Sequence, residues 1–360
     1  MFKNLARGLL LAGLALALAT AVRADDKPPL KVGFVYVTPI GEAGWTYQHD
    51  RGRLAMERAL GPQVSTSVVE AVAEGPDAER VMRDLAVRGH KLIFATSFGY
   101  LEPALRVAAE FPDVAFEQTG GYKTARNVNT YNARTYEGRY LAGLLAGKVS
   151  RSGVTGYVAG FPVPEVIQGI NAFALGLRAA NPKATVKVLW LDSWFDPARE
   201  REAAITLINQ GADVLTNHSA STAVAQLAEE KNVGVIAYQS DMRAIAPHAQ
   251  LTAVTHQWGG YYTKVAQQVL DGTWRVGPVW GGMKDGLVQL APLNPSVPKD
   301  VAAFVQARQA DLVAGRLQPF AGRIVDRDGG VRQAGGAMAD AQIAAMDYFV
   351  EGVVGSLPRP

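Results

Sequence analysis

The chain has 360 residues, 36 Lys and Arg against 33 Asp and Glu, five histidines and no cysteine. The absence of cysteine excludes disulfides, thiolate metal sites and lipid attachment at a cleavage-site cysteine. The net charge of +3 comes from the first 24 residues, where Lys3, Arg7 and Arg23 precede or flank an apolar run from Leu9 to Thr20. Without that segment the charges balance, so the basic footprint of a nucleic-acid binder is missing.

In chain order, residues 1–24 read as a signal peptide cleaved after Ala24, since the apolar run is too short to span a bilayer. Export to the periplasm follows, as a protein that is not a lipoprotein. From Lys31 the pattern alternates short β-branched runs with helical stretches, which predicts βαβ units and parallel sheets. Strands are expected at 31–37, 64–70, 91–96, 113–117, 154–159, 185–191, 213–217, 233–237, 251–255 and 286–291. Helices are expected at 45–60, 77–89, 101–111, 136–149, 165–180, 197–211, 221–231, 259–272 and 298–314. About ten strands exceed one simple doubly wound sheet, so two lobes are expected. The first comprises 30–132 and about 251–290, the second 133–250 and about 291–320, with a Gly-rich tail over 321–360.

Aromatic residues cluster just past these strand candidates: Trp45 and Tyr47, Phe98 and Tyr100, Trp194 and Phe195, and Tyr238. In open α/β sheets the carboxyl ends of parallel strands form the ligand crevice. Singly each ring could be core, but together they suggest a flat apolar ligand held by stacking. His218, Gln239 and Asp241 also follow strands. Asp241 could equally cap a helix, and a lone histidine is more often structural. Lys284, in Gly281-Gly-Met-Lys-Asp-Gly286, could reach a cleft or sit in a turn. No GxSxG elbow, cysteine nucleophile, HExxH or phosphate-loop motif occurs, so neither catalysis nor a cofactor is expected.

Tyr136-Glu-Gly-Arg-Tyr-Leu-Ala-Gly143, the run Val163–Arg178 and Trp194-Phe-Asp-Pro197 resemble the basic membrane protein family of ABC-transporter substrate-binding proteins, which includes purine-nucleoside receptors. The resemblance spans about 31–320. It implies a periplasmic-binding-protein type I fold of two doubly wound α/β lobes joined by three crossovers. It also implies a hinge that closes on the ligand, a permease partner in the inner membrane, and a monomer. By position, Trp45 and Trp194 match the family's stacking aromatics, Asp241 the second acid of its Val-Asp-Ser-Asp stretch, and Lys284 its lysine. Gln239 stands where nucleoside-binding members carry an acid. Trp45-Thr-Tyr47 replaces Ser-Phe-Asn, and Gln118-Thr119 replaces a further acid. These departures point to an adenine-like nucleobase. A nucleoside receptor, a sensor feeding a chemoreceptor or kinase, and a secreted nucleosidase are the alternatives.

Overall fold

The computed structural model describes residues 28–358, and the expected signal peptide lies outside them. The chain runs β1 (Leu30–Val35), α1 (Trp45–Leu60), β2 (Val64–Val69), α2 (Pro76–Val87), β3 (Leu92–Ala95), α3 (Leu101–Glu110), β4 (Ala115–Thr119) and β5 (Val128–Ala133). It continues through α4 (Thr135–Val149), β6 (Val154–Ala159), α5 (Pro164–Ala180), β7 (Thr185–Trp190), α6 (Pro197–Asn209), β8 (Val214–His218), α7 (Ala223–Lys231), β9 (Gly234–Gln239) and β10 (Gln250–His256). Then come α8 (Gly259–Leu270), β11 (Val279–Gly281), β12 (Val288–Leu290) and α9 (Lys299–Val313). The tail holds β13 (Ile324–Val325), β14 (Val331–Gln333), α10 (Asp340–Ala344) and β15 (Val353–Val354).

Two main sheets result. The first has the order β11-β5-β4-β3-β1-β2, and the second β12-β10-β9-β8-β6-β7-β15. Within these two sheets every strand pairing is parallel except the β10–β12 edge, and β13 and β14 form a small antiparallel pair of their own. Helices cover both faces of a parallel sheet, so its strands must be apolar on both sides. All four residues of β3, Leu-Ile-Phe-Ala, are buried accordingly.

The chain passes between lobes three times: from β5 into α4, from β10 into α8, and from β11 to β12. α4 packs against α5 in the second lobe, whereas α8 returns to lie on α1 in the first. The lobe boundaries expected for 251–290 need correction. Residues 250–256 pair with β9, placing Val254 beside Tyr238, and 288–290 pair with β10, so both stretches belong to the second sheet. Only the part from α8 to β11 returns to the first lobe. The reason is that β10, bar its half-buried Leu251, is buried, and it completes the apolar face over which α4 lies.

β5 was not expected as a strand. Its sequence, Val-Asn-Thr-Tyr-Asn-Ala, carries no apolar run, yet it is almost wholly buried. Its polar groups find partners inside: Asn129 donates to Glu117, which also accepts from Tyr261 Oη at 2.7 Å and Trp274 Nε1 at 2.8 Å. The tail packs into the body. β15 extends the second sheet alongside β7, and Phe349, Val350 and Val353 are buried.

Candidate functional site

Between the lobes lies a cavity lined by side chains from both sheets. Its walls are the segments that follow the carboxyl ends of parallel strands. The first lobe contributes Val37 and Thr38 after β1, Trp45 at the start of α1, Ser97 and Phe98 after β3, and Thr119 and Gly120 from the end of β4. The second contributes Val163 and Glu165 after β6, Trp194 after β7, His218 and Ala220 at the end of β8, and Gln239 closing β9.

Trp45 opens α1 directly after Gly44, whose φ of +95° is a left-handed value that favours glycine. Its indole Nε1 donates to the Thr96 carbonyl at 2.7 Å, so the protein satisfies the one polar atom of a ring that lines the cavity. Trp194 lies against the end of β6. A Cβ on Gly160 would come within 2.8 Å of its ring, so the glycine permits that approach. The Trp194 carbonyl accepts from Ala220 N at 2.8 Å, and Asp196 caps α6 by accepting from Arg199 N, which together fix the loop.

Imidazoles and a phenol link the two tryptophans. Trp45 meets His256 edge-on at 5.4 Å between ring centres, His256 meets Tyr238 at 5.2 Å, and Tyr238 meets His218 at 4.5 Å, with Trp194 6.4 Å further on. Burial holds His218 well below its ordinary value and His256 down to about 3, with the Arg139 guanidinium adding to both. Both rings are therefore neutral near pH 7. His218 Nδ1 and Gln239 Oε1 are buried without a protein partner, an arrangement that a ligand hydrogen bond would relieve. Gln239 also has a φ of +71°, an uncommon backbone conformation for a side-chain-bearing residue. Glu165, in the first turn of α5, is the one carboxyl lining the cavity. Burial pushes it up to about 7 against the opposing effects of Tyr238 and Arg139.

Of the ten residues expected at the site, Trp45, Phe98, Trp194, His218 and Gln239 converge on this cavity. The other five do not line it. Tyr47, two residues along α1, points away from Trp45 into a groove on another face of the cleft, shared with Arg51 and Asp241. Tyr100 is core, its hydroxyl donating to the Val72 carbonyl at 2.6 Å. Phe195 is 41% exposed. Asp241 is occupied by Arg243 at 2.5 Å and by Gln250 Nε2 at 2.7 Å. Lys284 sits in the exposed turn between β11 and β12, in a separate groove beside Arg134 and Asp340. Gln118, where the family carries an acid, donates to the Ser97 and Thr119 carbonyls and shapes the wall from behind. Sequence reasoning missed Glu165. It follows β6 as the aromatics follow their strands, but a search for rings passes over a carboxylate.

Residues 30–313 match the model of a family described as Bmp, ABC transporter substrate-binding protein PnrA-like. The chain belongs to the Bmp family. This Bmp-family chain is 48% identical over 343 residues to a purine-binding protein of Brucella abortus, covering 95% of this chain and 97% of that one. It is 36% identical to a putative ABC transporter glucose-binding protein of Haloferax volcanii, covering 91% and 81% of the two chains. Among solved structures it is similar to an ABC-transporter solute-binding protein of Conexibacter woesei, with a TM-score of 0.65 and 25% identity over 80% of this chain and 98% of that one. A solute-binding protein of Aeropyrum pernix shares the fold at a TM-score of 0.70 and 17% identity, over 81% and 93% of the two chains. The family and these relatives are binding proteins, and the family implies a small-molecule ligand and a permease partner. No helix among the described residues is long and apolar enough to cross a membrane.

Proposed function

We propose that this Bmp-family protein is a periplasmic receptor that captures an adenine-like purine base between its lobes and delivers it to an ABC permease without catalysing any reaction. The observation that carries the reading is the pairing of Trp45 and Trp194, one from each lobe, in the walls of a single cavity. A planar heterocycle offers each ring a π face, and stacking contributes about 1–3 kcal/mol per base by analogy with single-stranded nucleic acid. The second lobe's polar side chains sit at the end of β8, at the end of β9 and in the first turn of α5, and Thr38, Ser97 and Thr119 line the first lobe's wall, so the edge of such a ligand meets hydrogen-bonding groups. Gln239 in place of an acid removes the group expected to grip a ribose. The purine-binding relative in Brucella abortus, alike over nearly its whole length, supports the same ligand class.

A sugar is the second reading, favoured by the glucose-binding name of the Haloferax volcanii relative. Titration calorimetry with adenine, guanine, hypoxanthine, their nucleosides and glucose separates the cases. Adenine is expected to bind tightest. Tighter binding of adenosine than of adenine would overturn the base reading in favour of a nucleoside receptor, and binding of glucose alone would establish the sugar.

A further inference from the structure

The cavity contains one ionisable carboxyl, and its surroundings are unusual. Behind it stands Arg139 of α4, fully buried, whose guanidinium donates to Thr216 Oγ1 at 2.8 Å and the Asn217 carbonyl at 2.6 Å but pairs with no carboxylate among the described residues. Its charge lies 3.5 Å from the centre of the Tyr238 ring. The hydroxyl of that same tyrosine donates to Glu165 Oε1 at 3.4 Å. Tyr238 thus stands between a buried cation and the cavity's acid. A cation sealed from water needs a compensating charge, and Glu165, coupled to Arg139 through the field inside the lobe, is placed to supply it.

We propose that Glu165 is the specificity-determining residue of the cleft: its ionised carboxylate accepts an N–H from the edge of the bound heterocycle, so that ligand binding expels the proton from this side chain. The inference rests on the purine reading and adds the group that selects among purines. A base that presents an N–H donor to Glu165 binds the carboxylate, while one that presents only acceptors at that edge meets a repulsive anion. The groups facing Glu165 leave it as the one that titrates. From α4 comes Arg139, from β6 Tyr157, and from β9 Tyr238; burial raises both phenols, so they stay protonated. His218 of β8, lining the same cavity, stays neutral. The first lobe faces the cavity here with Phe98, Thr119 and Gly120, none of which is charged. Glu165 also lines a more open groove with Gly120, Tyr122 and Trp280, which gives its proton a path to solvent.

The sign follows from the raised value of about 7 in the free protein. A donor on the ligand stabilises the carboxylate and lowers that value, so affinity is full above about pH 7 and falls as the pH drops below it. Between about pH 8 and pH 6 the dissociation constant for adenine is expected to weaken about tenfold. Calorimetry at pH 7 in buffers of different ionisation enthalpy should show release of about half a proton per ligand bound. Glu165→Gln should flatten the pH profile and abolish the proton release, with Glu165→Ala as a second variant and thermal melts confirming that each is folded. A flat wild-type profile with intact affinity, proton uptake on binding, or an unchanged profile in Glu165→Gln would each overturn this inference while leaving the purine reading in place. No binding of any purine between pH 6 and 8 would overturn the purine reading, and this inference with it.

Discussion

At the scale of single residues, the cavity separates side chains that hold the fold from those left free for a ligand. The Trp45 nitrogen is satisfied by Thr96, whereas Gln239 Oε1 and His218 Nδ1 are buried with no protein partner. Replacing Trp45 or Trp194 with alanine is expected to weaken ligand binding by about 1–3 kcal/mol each, from several-fold to over a hundredfold. Calorimetry measures this, and an effect below twofold for both would contradict the stacking arrangement. His256 carries a separate prediction. Burial depresses it to about 3, so folding favours the neutral ring. Its contribution to stability is complete above the unfolded value of about 6.5 and is lost as the pH falls, because the unfolded chain then takes up a proton that the folded chain refuses. Glu165, raised to about 7, acts in the opposite sense over the same range and partly masks the loss in the intact protein. The comparison with His256→Phe isolates the histidine: the stability lead of wild type over the variant should shrink by about 1 kcal/mol between pH 7 and pH 5.5. Denaturant unfolding at the two pH values gives the difference.

At the scale of elements, helices and apolar strands were legible because their patterns are local. The 3.6-residue period, Asp196-Pro197 opening α6 and the glycine at 211 just past its end mark boundaries within a few residues of those observed. β5 escaped because its burial depends on Glu117, Tyr261 and Trp274, which lie far off in sequence. The tail escaped for a related reason: β15 is two residues long and is a strand only because β7 offers it an edge. That edge makes the tail structural. Ending the chain at Gly322 would expose the surfaces that Ile324, Met346, Phe349, Val350 and Val353 now bury. At roughly 1.5–3 kcal/mol per buried side chain the loss approaches the whole stability of a typical domain. The truncated protein is expected to be insoluble or to lack a cooperative melt by circular dichroism; a native-like melt would show that the tail is dispensable.

At the scale of the whole molecule, the cleft is seen closed. Gly44 N donates to Ser240 Oγ at 2.7 Å and Gln48 Nε2 to the His256 carbonyl at 2.5 Å, both across the two lobes. A Cβ on Gly44 would lie 2.2 Å from the Ala220 carbonyl oxygen, so closure itself requires a glycine there. Gly44→Ala carries the backbone strain of a φ of +95° in either state, and the clash with Ala220 adds to it only when the lobes meet, so the variant should resist closing. Ligand affinity should fall at least tenfold, and small-angle scattering in saturating ligand should give a larger radius of gyration than wild type. Wild-type affinity with wild-type compaction would show that the lobes can meet around a methyl group.

The α/β class, the two-lobed plan and the strand-end positions of Trp45, Phe98, Trp194, His218 and Gln239 were all legible from the chain alone. Each of those follows from a short-range pattern: a period, a cap, or a side chain just beyond an apolar run. Which strand-end residues face the cavity depends on packing between segments far apart in the chain. Tyr100 and Asp241 share the sequence signature of Phe98 and Gln239, yet one is tied to Val72 and the other to Arg243 and Gln250. Glu165 was decided in the same way, because its chemistry comes from burial beside Tyr238 and Arg139, and burial belongs to the folded lobe rather than to any stretch of chain.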